Sequence, residues 1–281
     1  RLLGLEVPLR AQYIRVILEE LSRIQSNLIG TGEFLTLIAG VGFAPWQYMI
    51  MDREKIISLI ESVTGARLTH SFVRFGGVRN DLPEGFDEQC RKVFPYMKSR
   101  IEEFIELFAQ DPIYHARMEN IGSISPETAK RIGCAGRAAG VPYDMRIEDP
   151  ILVYPELDFK VVTGTRGDSA DRIDCTLREM LESIHIIEQC LDKIPSGPIK
   201  TEAKIPKKIP AGEAYYRVED PRGEMGMYVI SDGGDKPYRV KVRGPFYATF
   251  QTLTPLLEGV YIADAVAIAG SMDGCPSESD R

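Results

Sequence analysis

Between Asp168 and Ile194, the residues Ile173, Leu177, Met180, Leu181, Ile184, Ile187 and Leu191 recur at intervals of three and four. A helix of about 3.6 residues per turn gathers that spacing on one face, so the stretch predicts a long amphipathic helix with a stripe to bury. IPSGP then stops it. A second run, Ala11 to Ile29, sets Tyr13, Ile14, Ile17, Leu18, Leu21, Ile24 and Leu28 at the same spacing behind Pro8, and Gly30 is placed to close it. Further helices are predicted over Asp52 to Val63, ended by TGAR, and over Asp87 to Phe108, after the loop GGVRNDLPEGF. In SISPETAKRIG, Ser125 can cap a short helix with Pro126 at its first position and Gly133 at its end.

Beyond the Lys- and Pro-rich connector TEAKIPKKIPAGE the period changes. EAYYRVED, GMYVIS and YRVKVR alternate, separated by the turn signals PRGE and SDGGDKP, and predict a small antiparallel sheet. A last apolar helix is expected over Leu257 to Ala269. The fold class is mainly α with a small antiparallel β-sheet (α+β). Residues 1–200 are expected to form a helical core, with residues 201–281 (the sheet, a C-terminal helix and a tail) packed on that core.

Composition narrows the function classes. A net charge of -7 with 27% charged residues offers no basic field to a nucleic-acid backbone, which excludes nucleic acid as the expected partner. The longest nearly apolar stretch, Phe34 to Pro45, is well short of the roughly 20 residues that cross a bilayer, so work at a membrane requires other subunits. Cys90, Cys134, Cys175, Cys190 and Cys275 are odd in number and never form CxxC, which fits a reducing compartment and not a disulfide framework. The chain begins at Arg1 without Met, directly on a helical pattern, and is expected to be the remainder of a longer protein.

Single motifs carry little chemistry. His70, His115 and His185 form no HxxxH or HExxH pair and read as structural or surface histidines. GTGEF follows a helix where a nucleotide loop needs a preceding strand, and reads as helix termination. Asp232-Gly233-Gly234 reads as a hairpin turn. Asp168, Arg172 and Glu179 read as a solvated or salt-bridged helix face, whose arginines would also suit an interface. In the terminal SMDGCPSESDR a lone Cys275 is followed by Pro276, with Glu278 three positions on; a soft metal wants several thiolates, so Cys275 is a weak candidate ligand.

Longer blocks carry more. EVPLRAQYIRVILEELSRIQSNL, MDRE with TGARLTHSFVRFGGVRNDLPEGF, RAAGVPYDMR, REMLESIHIIEQCLDKIPSGPI, PRGEMGMYVISDGGDKPYRVKVRGPF and AIAGSMDGCPSESDR occur in this order. Together they resemble the quinone-facing D subunit of respiratory complex I, a family that shares ancestry with the large subunit of membrane-bound nickel-iron hydrogenases. The resemblance runs from Arg1 to Arg281. It implies a hydrogenase large-subunit-like fold in a peripheral subunit on the cytoplasmic face of the membrane. It implies an iron-sulfur subunit, further complex subunits and the membrane arm as partners. The cofactors it implies are a quinone bound between subunits and an iron-sulfur cluster held by the partner, with none held by this chain alone. The implied enzyme is an NADH-quinone oxidoreductase of translocase type, with NAD binding in the complex, and the isolated chain is expected to be inactive.

The tail separates two branches of that resemblance. Ser271, Asp273, Cys275 and Arg281 match a hydrogenase tail of the form SxDPCxxCxxR, but Glu278 stands at its second cysteine. The expected function is therefore a subunit of a quinone oxidoreductase fed by NADH, ferredoxin or another donor. The alternatives are a hydrogenase-related large subunit with an altered metal site and a degenerate scaffold. Arg67, Thr69, His70, Asp273, Cys275 and Glu278 are the candidates for the quinone cavity and cluster-facing surface, no catalytic residue is assigned, and Arg74 and Arg79 hold the loop or face the partner. Leu35 stands where complex I has an aspartate, and Thr69 where it usually has a histidine beside the terminal cluster. Loss of a hydrogen-bonding imidazole suits a low-potential acceptor such as menaquinone or methanophenazine, and the short connector TEAKIPKKIP leans toward the hydrogenase-like branch.

Overall fold

In a computed structural model of the chain, residues 1–38, 44–129 and 133–279 are described. Four long helices make the core: α1 (Leu9–Ile38), α2 (Ala44–Thr64), α3 (Phe86–Gln110) and α8 (Ser169–Lys193). α1 packs on α2 and α8, and α3 packs on both of these. The periodic residues of α1 are its inward face, with Ile14, Ile17, Leu21, Ile24 and Leu28 wholly buried. Each such side chain contributes roughly 1.5–3 kcal/mol of burial, and the stripe as a whole selects the packing. α8 begins at Asp168, whose side chain accepts from the Asp171 amide and satisfies an orphan donor of the first turn.

Shorter elements connect them. A two-residue hairpin, β1 (Val73–Arg74) and β2 (Gly77–Val78), follows α2, and α4 (Pro112–Met118), α5 (Pro126–Ala129), α6 (Gly133–Arg137) and α7 (Met145–Glu148) lie between α3 and α8. The antiparallel sheet has the order β3 (Gly212–Asp220), β4 (Gly223–Ser231), β5 (Arg239–Arg243). Asp220 pairs with Gly223, so Pro221 and Arg222 form the hairpin tip. Gly233 takes positive φ in the next turn and Asp232 accepts from the Gly234 amide, as the turn reading requires. α9 (Pro245–Phe250), α10 (Leu253–Leu257), α11 (Ile262–Ser271) and α12 (Pro276–Ser279) close the chain. No described helix is long and apolar enough to cross a membrane.

Three expectations are corrected. α1 does not stop at Gly30; it continues to Ile38 because Gly30 and Gly32 provide close approach instead of termination. A Cβ on Gly30 would lie 2.6 Å from Asp273 Oδ1, and one on Gly32 would press on Met49 and Trp46. Gly133 opens α6 instead of ending the preceding helix. The C-terminal helix is two helices, α10 and α11, separated by an exposed turn at Gly259 with φ +79°. Of the solvated or salt-bridged face read at Asp168, Arg172 and Glu179, the salt-bridged form is the one found: all three are buried, Glu179 pairs with Arg137 and Asp168 with Arg166. Part of the apolar stretch Phe34–Pro45, part of SISPETAKRIG, and Arg281 of the tail lie outside the described residues.

α11 lies against α1 through Gly270, where an added Cβ would fall within the Phe34 ring, 1.2 Å from Cε2. Gly270→Ala is expected to destabilise the chain by about 1–3 kcal/mol, the usual cost of overpacking. Chemical denaturation checks this, and an unchanged midpoint would contradict it.

Candidate functional site

A buried ionic cluster underlies the site. Glu20 sits in phase with the apolar stripe of α1 and is wholly buried. Its carboxylate accepts from Tyr154 Oη (2.6 Å) and Ser183 Oγ (2.7 Å) and pairs with Arg146 and Arg23. Burial alone would raise its pKa, but Arg23 and Arg146 outweigh that and hold it at about 2. Arg146 also pairs with Asp144 at 2.7 Å, at the start of α7. Arg137, on α6, bridges Glu179 of α8 (2.6 Å) and Glu219 of β3 (2.8 Å). Glu219 also accepts from the Met145 amide, and its backbone carbonyl accepts from Arg23. Three guanidiniums thus join helices and sheet at one buried point.

The sheet brings Arg222 from there to the tail. From the β3–β4 tip, Arg222 donates to Ser26 of α1 (2.9 Å) and to the backbone and carboxylate of Asp273 (3.1 and 3.2 Å), and its Nη1 lies 3.9 Å from Glu278. Asp273 takes a positive φ of 52° just after α11, which turns the chain back over Gly30. Gly244 and Gly274 allow the tail to lie on α9: a Cβ on Gly244 would meet the Glu278 carbonyl at 2.3 Å, and one on Gly274 would meet the Phe246 ring at 2.8 Å. Glu278 keeps one buried oxygen, Oε2, without a hydrogen-bond partner, and burial raises its pKa to about 7 despite Arg222. Beside the tail, Arg172 is held by neutral acceptors, the hydroxyls of Ser271 and Ser169 and the carbonyls of Gly122 and Gly167, and burial lowers its pKa to about 10.

The predicted residues divide into two groups. Asp273, Cys275 and Glu278 gather on the tail around Arg222, with Cys275 half-buried. Arg67, Thr69 and His70 lie in the loop after α2. Arg67 is exposed and pairs with Glu54 and Glu61 of α2, Thr69 is exposed in the left-handed region at φ 49°, and His70 is half-buried. Among the described residues no hydrogen bond or ion pair joins the two groups. Arg74 donates to Ser71 and steadies its own hairpin, and Leu35 is wholly buried in the core. His115 donates from Nε2 to the Ala109 carbonyl and sets Nδ1 3.0 Å from Glu119, near the surface, and His185 is exposed.

The sequence reading missed Glu20, Arg23, Arg137, Arg146, Glu219 and Arg222. A signal existed for two of them: charged Glu20 and Arg23 fall within an otherwise apolar helical phase, which burial permits only for paired charge. Among the described residues no three His, Cys, Asp or Glu side chains are placed to hold a metal ion. The tail carboxylates face Arg222, so the residues present do not fit a centre held by paired thiolates.

Because the folded Glu278 carboxyl titrates near 7 against an ordinary 4.5, the folded state holds a proton that the unfolded chain has released between those values. Its contribution is present below pH 4.5 and lost as pH rises to about 7. The unfolding free energy of the native chain is therefore expected to fall across that window relative to Glu278→Gln. Parallel denaturation curves for the two proteins would contradict it.

Residues 41–208 and 204–281 match the family described as respiratory-chain NADH dehydrogenase, 49 Kd subunit. Among curated relatives, the chain is 55% identical to the D subunit of the F(420)H(2) dehydrogenase of Methanosarcina mazei, covering 100% of this chain and 77% of that protein. It is 46% identical to the D subunit of the NADH-quinone oxidoreductase of Desulforamulus reducens, over 100% of this chain and 77% of that protein. It is 40% identical to a D subunit of the NADH-quinone oxidoreductase of Rhizobium etli, over 100% of this chain and 76% of that protein. The mostly helical fold, the small antiparallel sheet and these matches agree: the chain belongs to the 49 kDa, or D, subunit family of respiratory-chain NADH dehydrogenases.

Proposed function

We propose that the chain forms one wall of a quinone-reduction cavity in a membrane-associated oxidoreductase, beside an iron-sulfur cluster carried by a partner subunit. The observation that carries this reading is Glu278. At the position of a hydrogenase tail's second cysteine stands a carboxylate turned toward Arg222, with Asp273 on the same guanidinium. Such a tail supplies charge and hydrogen bonds to a bound organic acceptor, and position and electrostatics are what a protein contributes when cofactor and cluster carry the electrons. The electron donor is F420H2, NADH, ferredoxin or another reductant upstream, in keeping with the names of the relatives. The acceptor is a low-potential one, menaquinone or methanophenazine, because Thr69 offers no imidazole to the cluster.

The loop of Arg67, Thr69 and His70 faces the partner subunit in this reading. Leu68, Val73 and Phe75, all exposed, flank it, as expected of a surface covered on assembly. The complex docks peripherally on the cytoplasmic face of the membrane through its membrane arm. The hydrogenase-like alternative requires Cys275 to act as a metal thiolate, and the scaffold alternative requires no electron transfer at all.

The test is made on the intact complex carrying this chain. With its own donor it should reduce a menaquinone or methanophenazine analogue faster than a ubiquinone analogue, and quinone reduction should persist in Cys275→Ser. Hydrogen uptake or evolution that disappears in Cys275→Ser would overturn the reading, as would a complex inactive toward every quinone.

A further inference from the structure

The cluster around Glu20 contains one acid more than it has bases. Glu20, Asp144, Glu179 and Glu219 face Arg23, Arg137 and Arg146, all seven side chains being nearly inaccessible. An unbalanced buried carboxylate is costly, and the cheapest remedy is a bound proton.

A cavity of about 20 Å³ is lined by residues of both this cluster and the tail. Arg137 and Glu179 of the cluster, Ser271 and Asp273 of the tail, and Ala135 and Arg172 are among the residues that line it. A single water needs about 10–15 Å³ and two to four polar partners, so the cavity has the size and lining for one. A second observation points to internal solvent nearby. On α1, Arg23 Nη1, both polar atoms of the Asn27 amide and Thr31 Oγ1 are buried without hydrogen-bond partners. Arg23, Asn27 and Thr31 are spaced by four residues, a rise of about 6 Å per step, a gap that one water spans with two hydrogen bonds. Ser26 and Gly30, the neighbours of Asn27 and Thr31, are the α1 residues that meet Arg222 and Asp273.

We propose that ordered water in this cavity and along the Arg23–Asn27–Thr31 face forms a proton relay from the buried ionic cluster to Asp273. In each step a carboxyl of the cluster gives its proton to the water oxygen, and the water gives one of its own to the Asp273 carboxylate. The O–H of the donor carboxyl breaks, the water oxygen gains one O–H and loses another, an O–H forms on Asp273, and the water is regenerated. The relay rests on the quinone-reducing reading, because forming a quinol takes up a proton for each electron that the partner's cluster delivers.

The test uses the intact complex and has two arms. A high-resolution structure should show water within hydrogen-bond distance of both the Glu179 and Asp273 carboxylates, and further water at Asn27; dry sites would overturn the relay whatever the complex reduces. Ala135→Val, which fills the cavity, and Asn27→Leu, which removes the orphan amide, should lower quinone reduction by roughly tenfold or more and enlarge its solvent deuterium isotope effect, with assembly intact. Full turnover and an unchanged isotope effect in both variants would also overturn it. A complex that holds the water but reduces no quinone refutes the functional reading and, with it, the relay, while leaving the hydration site standing.

Discussion

The structure depends on a charge cluster placed where helices and sheet meet. Glu20 ties α1 to Arg146 of α7, to Tyr154 and to Ser183 of α8, while Arg137 ties α6 to α8 and to β3. Apolar packing is non-directional and would allow α1 and α8 to slide; paired guanidiniums fix one register, because each mispairing leaves an uncompensated buried charge. The sheet inherits that register through Glu219. Its hairpin tip, just beyond Glu219 on the same strand, then sets Arg222 under the tail.

The tail follows from this placement. Gly30, Gly244 and Gly274 let it approach α1 and α9 closely, and Arg222 neutralises what it brings. The arrangement is ion-paired and hydrogen-bonded where the hydrogenase-like ancestor would place thiolates. Glu278 is the tail residue whose proton affinity is shifted toward neutrality. That shift comes from burial, so it belongs to the fold and disappears on unfolding.

The periodicity of α1, α3 and α8 was readable because each of these helices buries one face and the pattern records it; the alternation of β3 to β5 was readable between its turn signals although most of the sheet is not buried. Boundaries were less readable. Gly30 looked like a stop because glycine is a poor helix former, but the decisive contact is Asp273, near the far end of the chain, and no local pattern contains it. Asp168, Arg172 and Glu179 read as a solvated or salt-bridged face, and the pattern could not say which; the partners that decide it, Arg137, Ser271 and the carbonyls of two glycines, come largely from distant segments. The tail candidates Asp273, Cys275 and Glu278 were legible through the resemblance. Arg222, which organises them, was not, since a charged residue in a hairpin turn has an ordinary explanation.

The most direct test of this account is a double-mutant cycle between Glu20 and Arg146, measured by chemical denaturation of Glu20→Gln, Arg146→Met and the double variant. Each single change should cost about 3–5 kcal/mol, and the double should cost clearly less than their sum, because it removes both charges together. Costs that add to within about 0.5 kcal/mol would mean that the pair is not coupled and that apolar packing alone sets the register.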